Sequence, residues 1–334
     1  MKDKNWHIKS NNLDKNKFFN TLQFLLRAFF YNNYDIFICK APSGANILLK
    51  LLKYFIISPK RIHVYIYGYG INVAAYSYLK PSDFSRLHTL IVESNSVKKQ
   101  FMELSTKINL LVLPSVKRVY DIPIRPFEKK ETLSILFFSR IVKEKGVFDA
   151  INSVIKINEA NNRVLYKLDI AGSESSFEEI EQIKKICERH SYINLLGESF
   201  TIQNQNSYIR FSVYDLHVFL STFFHECVPG SIIDSFISCV PTISTKYNSY
   251  ETLINDNIAY ILDDLNPDTI TSKLLYIYQH QDDLYGRKMK CKLEAAKYSS
   301  EYFINFMEEK VLKNDKGEGL HNINSGLLQV HGCS

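Results

Sequence analysis

A chain of 334 residues is long enough for two domains of roughly 100–200 residues each. With 46% hydrophobic and 23% charged residues it is neither disordered nor fibrous, and no run of about 18 apolar residues marks a spanning helix. The net charge of +6 is unevenly divided. Residues 1–130 hold 21 basic and 8 acidic side chains, a net of +13, and the remainder carries −7, which argues for two units with different partners.

In the basic half, apolar spacing predicts a helix over 17–31, a buried strand over 34–39, and a second helix over 45–55. Strands follow at 63–67, 89–92 and 110–113, with a helix over 96–104. Phe18-Phe19 and the run Phe24-Leu25-Leu26-Arg27-Ala28-Phe29-Phe30-Tyr31 interleave aromatic and basic residues. Such a surface suits an anionic membrane face, and equally a core helix with solvated lysines. No nucleic-acid motif accompanies the charge, so nucleic acid is not an expected partner. Pro123, Pro126 and a cluster of charges mark 119–132 as a linker between a first domain at 1–118 and a second at 133–310.

The alternation of strand and helix then restarts. Strands are expected at 133–138, 166–171, 193–196, 216–220 and 242–244, and helices at 147–158, 177–190, 231–238, 267–280 and 284–306. This is the pattern of parallel α/β layers. Residues 311–334 are polar and contain four glycines among them, and read as a loose tail. The polar start Met1-Lys2-Asp3-Lys4-Asn5 lacks the apolar core of a signal peptide. The six cysteines are far apart with no CxxC pair. Reduced thiols in a cytoplasm are therefore expected rather than a disulfide framework or zinc finger.

Two segments of the second half carry chemistry. Phe137-Phe138-Ser139-Arg140-Ile141-Val142-Lys143-Glu144-Lys145-Gly146 leaves a strand and enters a helix. Arg140 and Lys145 there can neutralise a diphosphate, although basic residues in such loops are often surface decoration. The second segment, Ser221 to Asp234, places Glu226 in a loop and Asp234 in the next helix, with seven residues between them. Pro229-Gly230 allows close backbone approach, and the free N–H groups at Gly230 and Ser231 attract phosphate. A buried acid pair held for structure alone is the plain alternative. His225 is as readily structural as catalytic, and Glu93 reads as an acid at a helix N-terminus. The nine histidines show no metal-ligand spacing.

The order Ser-Arg-(x4)-Lys-Gly, Asp-Ile-Ala-Gly, Leu-Leu-Gly, acid-x7-acid and Val-Pro-Thr-Ile-Ser resembles the nucleotide-sugar glycosyltransferases of family 4 over about residues 130–300. Pro229-Gly230-Ser231-Ile232-Ile233-Asp234 and Lys246-Tyr247-Asn248-Ser249 look most like a branch from bacterial capsule, O-antigen and exopolysaccharide clusters. The resemblance implies the GT-B fold, an α/β architecture of two Rossmann-like domains facing across a cleft. It implies sugar transfer with retention, no cofactor beyond the nucleotide-sugar substrate, and no metal. Arg140 and Lys145 would hold the donor diphosphate, Gly230 and Ser231 its oxygens, Asp234 the ribose, and catalytic Glu226 the donor sugar. A lipid-linked or oligosaccharide acceptor would meet the basic half at the inner face of a membrane.

The chain departs from the family pattern in Asp234 for Glu, Ser139 for Gly, and His225-Glu226-Cys227 for a Glu-Gly-Phe-like run. The N-terminal domain is expected to lack the family's first strand, glycine loop and helix, with Ser43-Gly44 a poor substitute. That expectation keeps open an inactive nucleotide-sugar-binding or partner-binding module. Another GT-B enzyme is the third reading, although no pyridoxal-phosphate lysine region of a phosphorylase is found.

Overall fold

The computed structural model describes residues 36–40, 62–66, 80–84, 87–104, 109–174, 176–223, 226–312 and 327–328. The helices expected at 17–31 and 45–55, Ser43-Gly44 and His225 lie outside them. The chain forms two compact units, residues 1–116 with 303–334 and residues 117–302.

In the first unit, strands β1 (Ile36–Lys40), β2 (Ile62–Ile66), β3 (Thr89–Val92) and β4 (Asn109–Val112) follow one another in a parallel sheet. Helix α1 (Asn95–Leu104) connects β3 to β4. β2 and β3 are buried along their whole length, as apolar runs in a parallel sheet must be. Glu93 precedes α1, is buried, and accepts a hydrogen bond from the Ser115 hydroxyl.

The unit boundaries differ from the expected ones at both ends. The chain returns to the first unit at Phe303, before the expected limit of 310. Phe303, Met307 and Val311 recur every four residues and pack on Tyr65, Ile91 and Leu113, so helical periodicity carries the chain onto this sheet. The expected loose tail also supplies a short strand to the sheet. Leu327 and Leu328 pair parallel with Ile36 and Phe37. The segment expected as a free linker belongs to the second unit. Ile122 is fully buried in its core, the Lys292 ammonium donates to the Ile122 carbonyl at 3.1 Å, and Gln281 exchanges two hydrogen bonds with the Lys130 backbone.

The second unit contains β5 (Leu133–Phe138), α2 (Val147–Ala160), β6 (Tyr166–Ala171), α3 (Phe177–Arg189), β7 (Ile193–Gly197), α4 (Gln205–Phe211), β8 (Leu216–Phe219), α5 (Gly230–Ile237), β9 (Thr242–Thr245), β10 (Ala259–Leu262), α6 (Pro267–Gln279), α7 (Gln281–Ala295) and α8 (Ser300–Phe306), whose last residues pass into the first unit. Its sheet is parallel throughout and ordered β10-β9-β8-β5-β6-β7. The strand order reverses between β5 and β8, and ligands of such sheets bind in the crevice outside the carboxyl ends there.

Two elements are absent from the sequence reading. α4 is a seven-residue helix whose start is set by Asn204, with a reciprocal side-chain bond to Ser207. β10 has only four residues and stops at Asp263. The single helix expected over 284–306 is broken at Ala296–Tyr298, where buried Tyr298 packs on Phe236 and its carbonyl accepts from the Lys117 backbone N–H at 2.8 Å.

His217, within β8, is wholly buried, with Nδ1 3.1 Å from Thr242 Oγ1. Burial lowers its pKa from the usual 6.5 to about 3. The unfolded chain therefore binds one proton more than the folded chain between those values. Stability falls as pH drops below 6.5, by about 1.4 kcal/mol per pH unit from this group, and is independent of it above. Urea unfolding should show a loss of about 2 kcal/mol between pH 6.5 and 5.0 from His217. NMR of the folded chain should show its imidazole untitrated down to pH 4. An imidazole that titrates near 6 would contradict this.

Candidate active site

The carboxyl end of β5 passes through Ser139 and Arg140 into a tight turn at Lys143–Lys145 and then into α2. Glycine is required at two points of this arrangement. Gly146 has φ 78°, and a Cβ there would stand 2.3 Å from the Leu220 carbonyl oxygen. A Cβ on Gly172, φ 137°, would stand 1.7 Å from the Ser139 carbonyl oxygen. Both lack the side chain that would push neighbouring strand ends apart. The Thr222 N–H donates to the Glu144 carbonyl at 2.9 Å, tying the two loops at the point of strand reversal.

This close packing brings Arg140, Lys145 and Glu226 together. Buried Lys145 forms an ion pair with Glu226, and the Ser221 hydroxyl donates to the same carboxylate oxygen at 3.0 Å. Both charged side chains are nearly out of solvent, 7% and 11% exposed. Both cations lie over the Phe223 ring. Its centroid is 4.8 Å from Lys145 Nζ and 5.6 Å from Arg140 Cζ, within the range of cation–π attraction. Arg140 itself is exposed and ready to meet a ligand.

Gly230 and Asp234 belong to a second cluster, at the start of α5. Lys117 Nζ lies 2.7 Å from both carboxylate oxygens of Asp234 and 3.2 Å from the Gly230 carbonyl. The Tyr208 hydroxyl donates to Asp234 Oδ1 at 2.9 Å. Burial, and then the Asp234 charge, push the Tyr208 pKa well up, so it remains a donor. Asp234 Oδ1 accepts two of these bonds and Oδ2 one, so Oδ2 keeps an acceptor lone pair. The α5 N-cap is Pro229, with no capping side-chain bond, and half-buried Ser231 follows in the first turn. The Ile232 N–H donates to the Pro229 carbonyl at 3.2 Å, and the N–H groups of Gly230 and Ser231 are left for an anion.

Buried Tyr247 carries a hydroxyl with no hydrogen-bond partner among the described residues; burial and the Glu226 charge raise its pKa. Lys117, Tyr208, Ser221, Phe223 and Tyr247 are absent from the sequence reading of the site. Lys117 and Tyr208 lie 117 and 26 residues from Asp234, and only folding reveals them. The hydroxyl of Ser221 and the ring of Phe223 lie inside the quoted motif, but only folding sets them beside Glu226 and the two cations. Among the described residues no cluster of three or more His, Cys, Asp or Glu side chains is placed to hold a metal ion, and no helix is long and apolar enough to cross a membrane.

The chain is 24% identical over 207 residues to the GtfA subunit of UDP-N-acetylglucosamine–peptide N-acetylglucosaminyltransferase from Streptococcus agalactiae, covering 59% of this chain and 38% of that protein. Its structure resembles S. aureus TarM at TM-score 0.63 and 15% identity, over 84% of this chain and 56% of the other. The pneumococcal O-GlcNAc transferase GtfA, solved with UDP and GlcNAc, gives TM-score 0.62 at 16% identity, over 86% and 58%. Anabaena HepE, solved with UDP and glucose, gives 0.61 at 9% identity, over 87% and 80%. The chain thus spans well under two thirds of the curated relative and of the first two of these structures. These likenesses show the expected GT-B fold. The profile of the family described as "Glycosyl transferases group 1" matches residues 121–296, just over half of the chain and every site residue named above except Lys117. The chain belongs to this family of glycosyl transferases.

Proposed function

We propose that the chain is a retaining glycosyltransferase that moves a sugar from a nucleoside-diphosphate donor to a growing capsule, O-antigen or exopolysaccharide acceptor. The observation that carries this reading is the placing of Arg140 and Lys145 over one aromatic ring, with Glu226 paired to Lys145, at the strand reversal and close in sequence to an uncapped helix N-terminus. As the bond between the anomeric carbon and the diphosphate breaks, negative charge grows on the leaving group. Arg140, Lys145 and the first-turn amides at Gly230 and Ser231 stabilise it. The donor diphosphate competes with Glu226 for Lys145 and frees the carboxylate for the sugar hydroxyls. Asp234, oriented by Lys117 and Tyr208, accepts from the ribose. UDP in the GtfA and HepE structures makes uridine diphosphate sugars the first donors to try.

A donor panel with mass detection of the transferred sugar tests the reading. Arg140→Ala and Lys145→Ala should each weaken donor binding about ten-fold or more by calorimetry, the size of a lost charged hydrogen bond. Unchanged affinity in both would remove the diphosphate assignment. The peptide transferase named among the relatives favours one alternative acceptor, a protein hydroxyl, so the panel should include both glycan and peptide acceptors. Nucleotide binding without turnover of any donor would identify an inactive binding module instead.

The +13 charge of residues 1–130 supports peripheral attachment to an anionic membrane. Flotation should show binding to vesicles containing phosphatidylglycerol at low salt, and release at high salt. Equal binding to neutral vesicles would overturn this.

A further inference from the structure

Tyr247 is a buried polar side chain to which the proposed transfer assigns no role. β9 ends at Thr245, whose hydroxyl donates to the Ser221 carbonyl at 2.9 Å. That bond ties β9 to the loop that carries Glu226. Two residues on, the Tyr247 carbonyl accepts from the Tyr250 N–H at 3.1 Å in a tight turn. The backbone is thus held on both sides of the side chain. The Tyr247 ring stands edge-on to buried Phe219, centroid to centroid 5.4 Å, and the Phe219 ring lies 5.9 Å from Lys145 Nζ. Val228, two residues past Glu226, packs on the same core cluster as Tyr247. One aromatic ring therefore separates Tyr247 from the Lys145–Glu226 pair.

The side chain is 4% exposed, and its hydroxyl has no hydrogen-bond partner among the described residues. A native fold rarely leaves such a group unmet, because it gives up its bonds to water and gains none in return. Phenylalanine would fill the same space without that cost. Burial, and then the Glu226 carboxylate, keep the proton on the hydroxyl, so it is available as a donor. Glu226 has need of one. It pairs with Lys145 and accepts from the Ser221 hydroxyl. A donor diphosphate that draws Lys145 away leaves a side chain only 11% exposed without the countercharge it has among the described residues. A buried carboxylate stripped of its partner is costly unless another donor replaces it.

We propose that Tyr247 is a positioning residue, whose hydroxyl takes over the Glu226 carboxylate when a nucleotide diphosphate claims Lys145 and holds it for the donor sugar. The inference rests on the transferase reading and deepens it, giving Glu226 one set of partners without nucleotide and another with it.

UDP is the probe, titrated by calorimetry into the full chain, with GDP and ADP where UDP does not bind. Without nucleotide, Tyr247→Phe should be as stable to urea as the wild type or more so, since it removes a hydroxyl that bonds to nothing. The same variant should bind the nucleotide about ten-fold more weakly, because the bond to Glu226 forms only in the complex. In a Glu226→Ala background, Tyr247→Phe should change the affinity by less than about two-fold, since the partner is already gone. Undiminished affinity in Tyr247→Phe, the same loss with Glu226 already removed, or lower stability without nucleotide would each overturn the proposal and leave the transferase reading in place. A wild-type chain that binds none of the three nucleotides would overturn both.

Discussion

Glu226→Gln should lower kcat about a hundred-fold while leaving the donor KM within a few-fold, measured with whichever donor the panel identifies. The amide keeps the shape of the side chain and its acceptor toward Ser221 Oγ, but removes the charge that balances the electron-poor sugar centre. The Lys145 ion pair complicates the outcome in a useful way. Glu226 holds Lys145 at a site where both are nearly buried, so each single change also disturbs the other group. Glu226→Gln and Lys145→Met should therefore be strongly non-additive, with the double variant little slower than the worse single one. Full kcat in Glu226→Gln would remove Glu226 from the chemistry. Strict additivity would mean that the pair does not act as a unit.

Lys117→Met should destabilise the second unit by about 2–4 kcal/mol and raise the donor KM. The carboxylate of Asp234 is only 7% exposed and loses the one countercharge it has among the described residues. Breaking a buried pair from one side is costly because a charge is left unmet. Lys117 is 20% exposed, and water reaching it brings the expected cost toward the lower end. Asp234→Asn combined with Lys117→Met should regain part of the stability, since no charge then remains unpaired, but not the donor affinity. Denaturant unfolding and donor titration separate the two effects. If Lys117→Met were neutral in both measurements, the Lys117–Asp234 pair would not be holding the start of α5.

The sheet strands of the second unit other than β10 were legible as short runs rich in apolar and β-branched residues closed by a breaker, as strands of a covered parallel sheet are. The limits of β5 and β6 follow directly from such runs. α4 and β10 were not legible. The first is set by a cap rather than by apolar periodicity, and the second is four residues that gain meaning only beside β9. The break at Ala296–Tyr298 has no glycine or proline to announce it, and arises from the packing of Tyr298 on Phe236.

For the site, the amino-acid sequence by itself determined which groups are available. Arg140, Lys145, Glu226, Gly230 and Asp234 stand in loops and helix starts that follow strands, and strand ends are where a parallel sheet exposes backbone and admits ligands. Only the tertiary structure decided how they are partnered. Lys145 reaches Glu226 because Gly146 lets its loop close onto the end of β8, and Asp234 takes its countercharge from Lys117, far away along the chain. The linker-like prolines at 123 and 126 concealed a segment that packs at Ile122 and bonds to Gln281 at Lys130. Local sequence carries strand and turn preferences, which act over a few residues. Ion pairs and buried hydrogen bonds join residues a hundred positions apart, and no local preference encodes them.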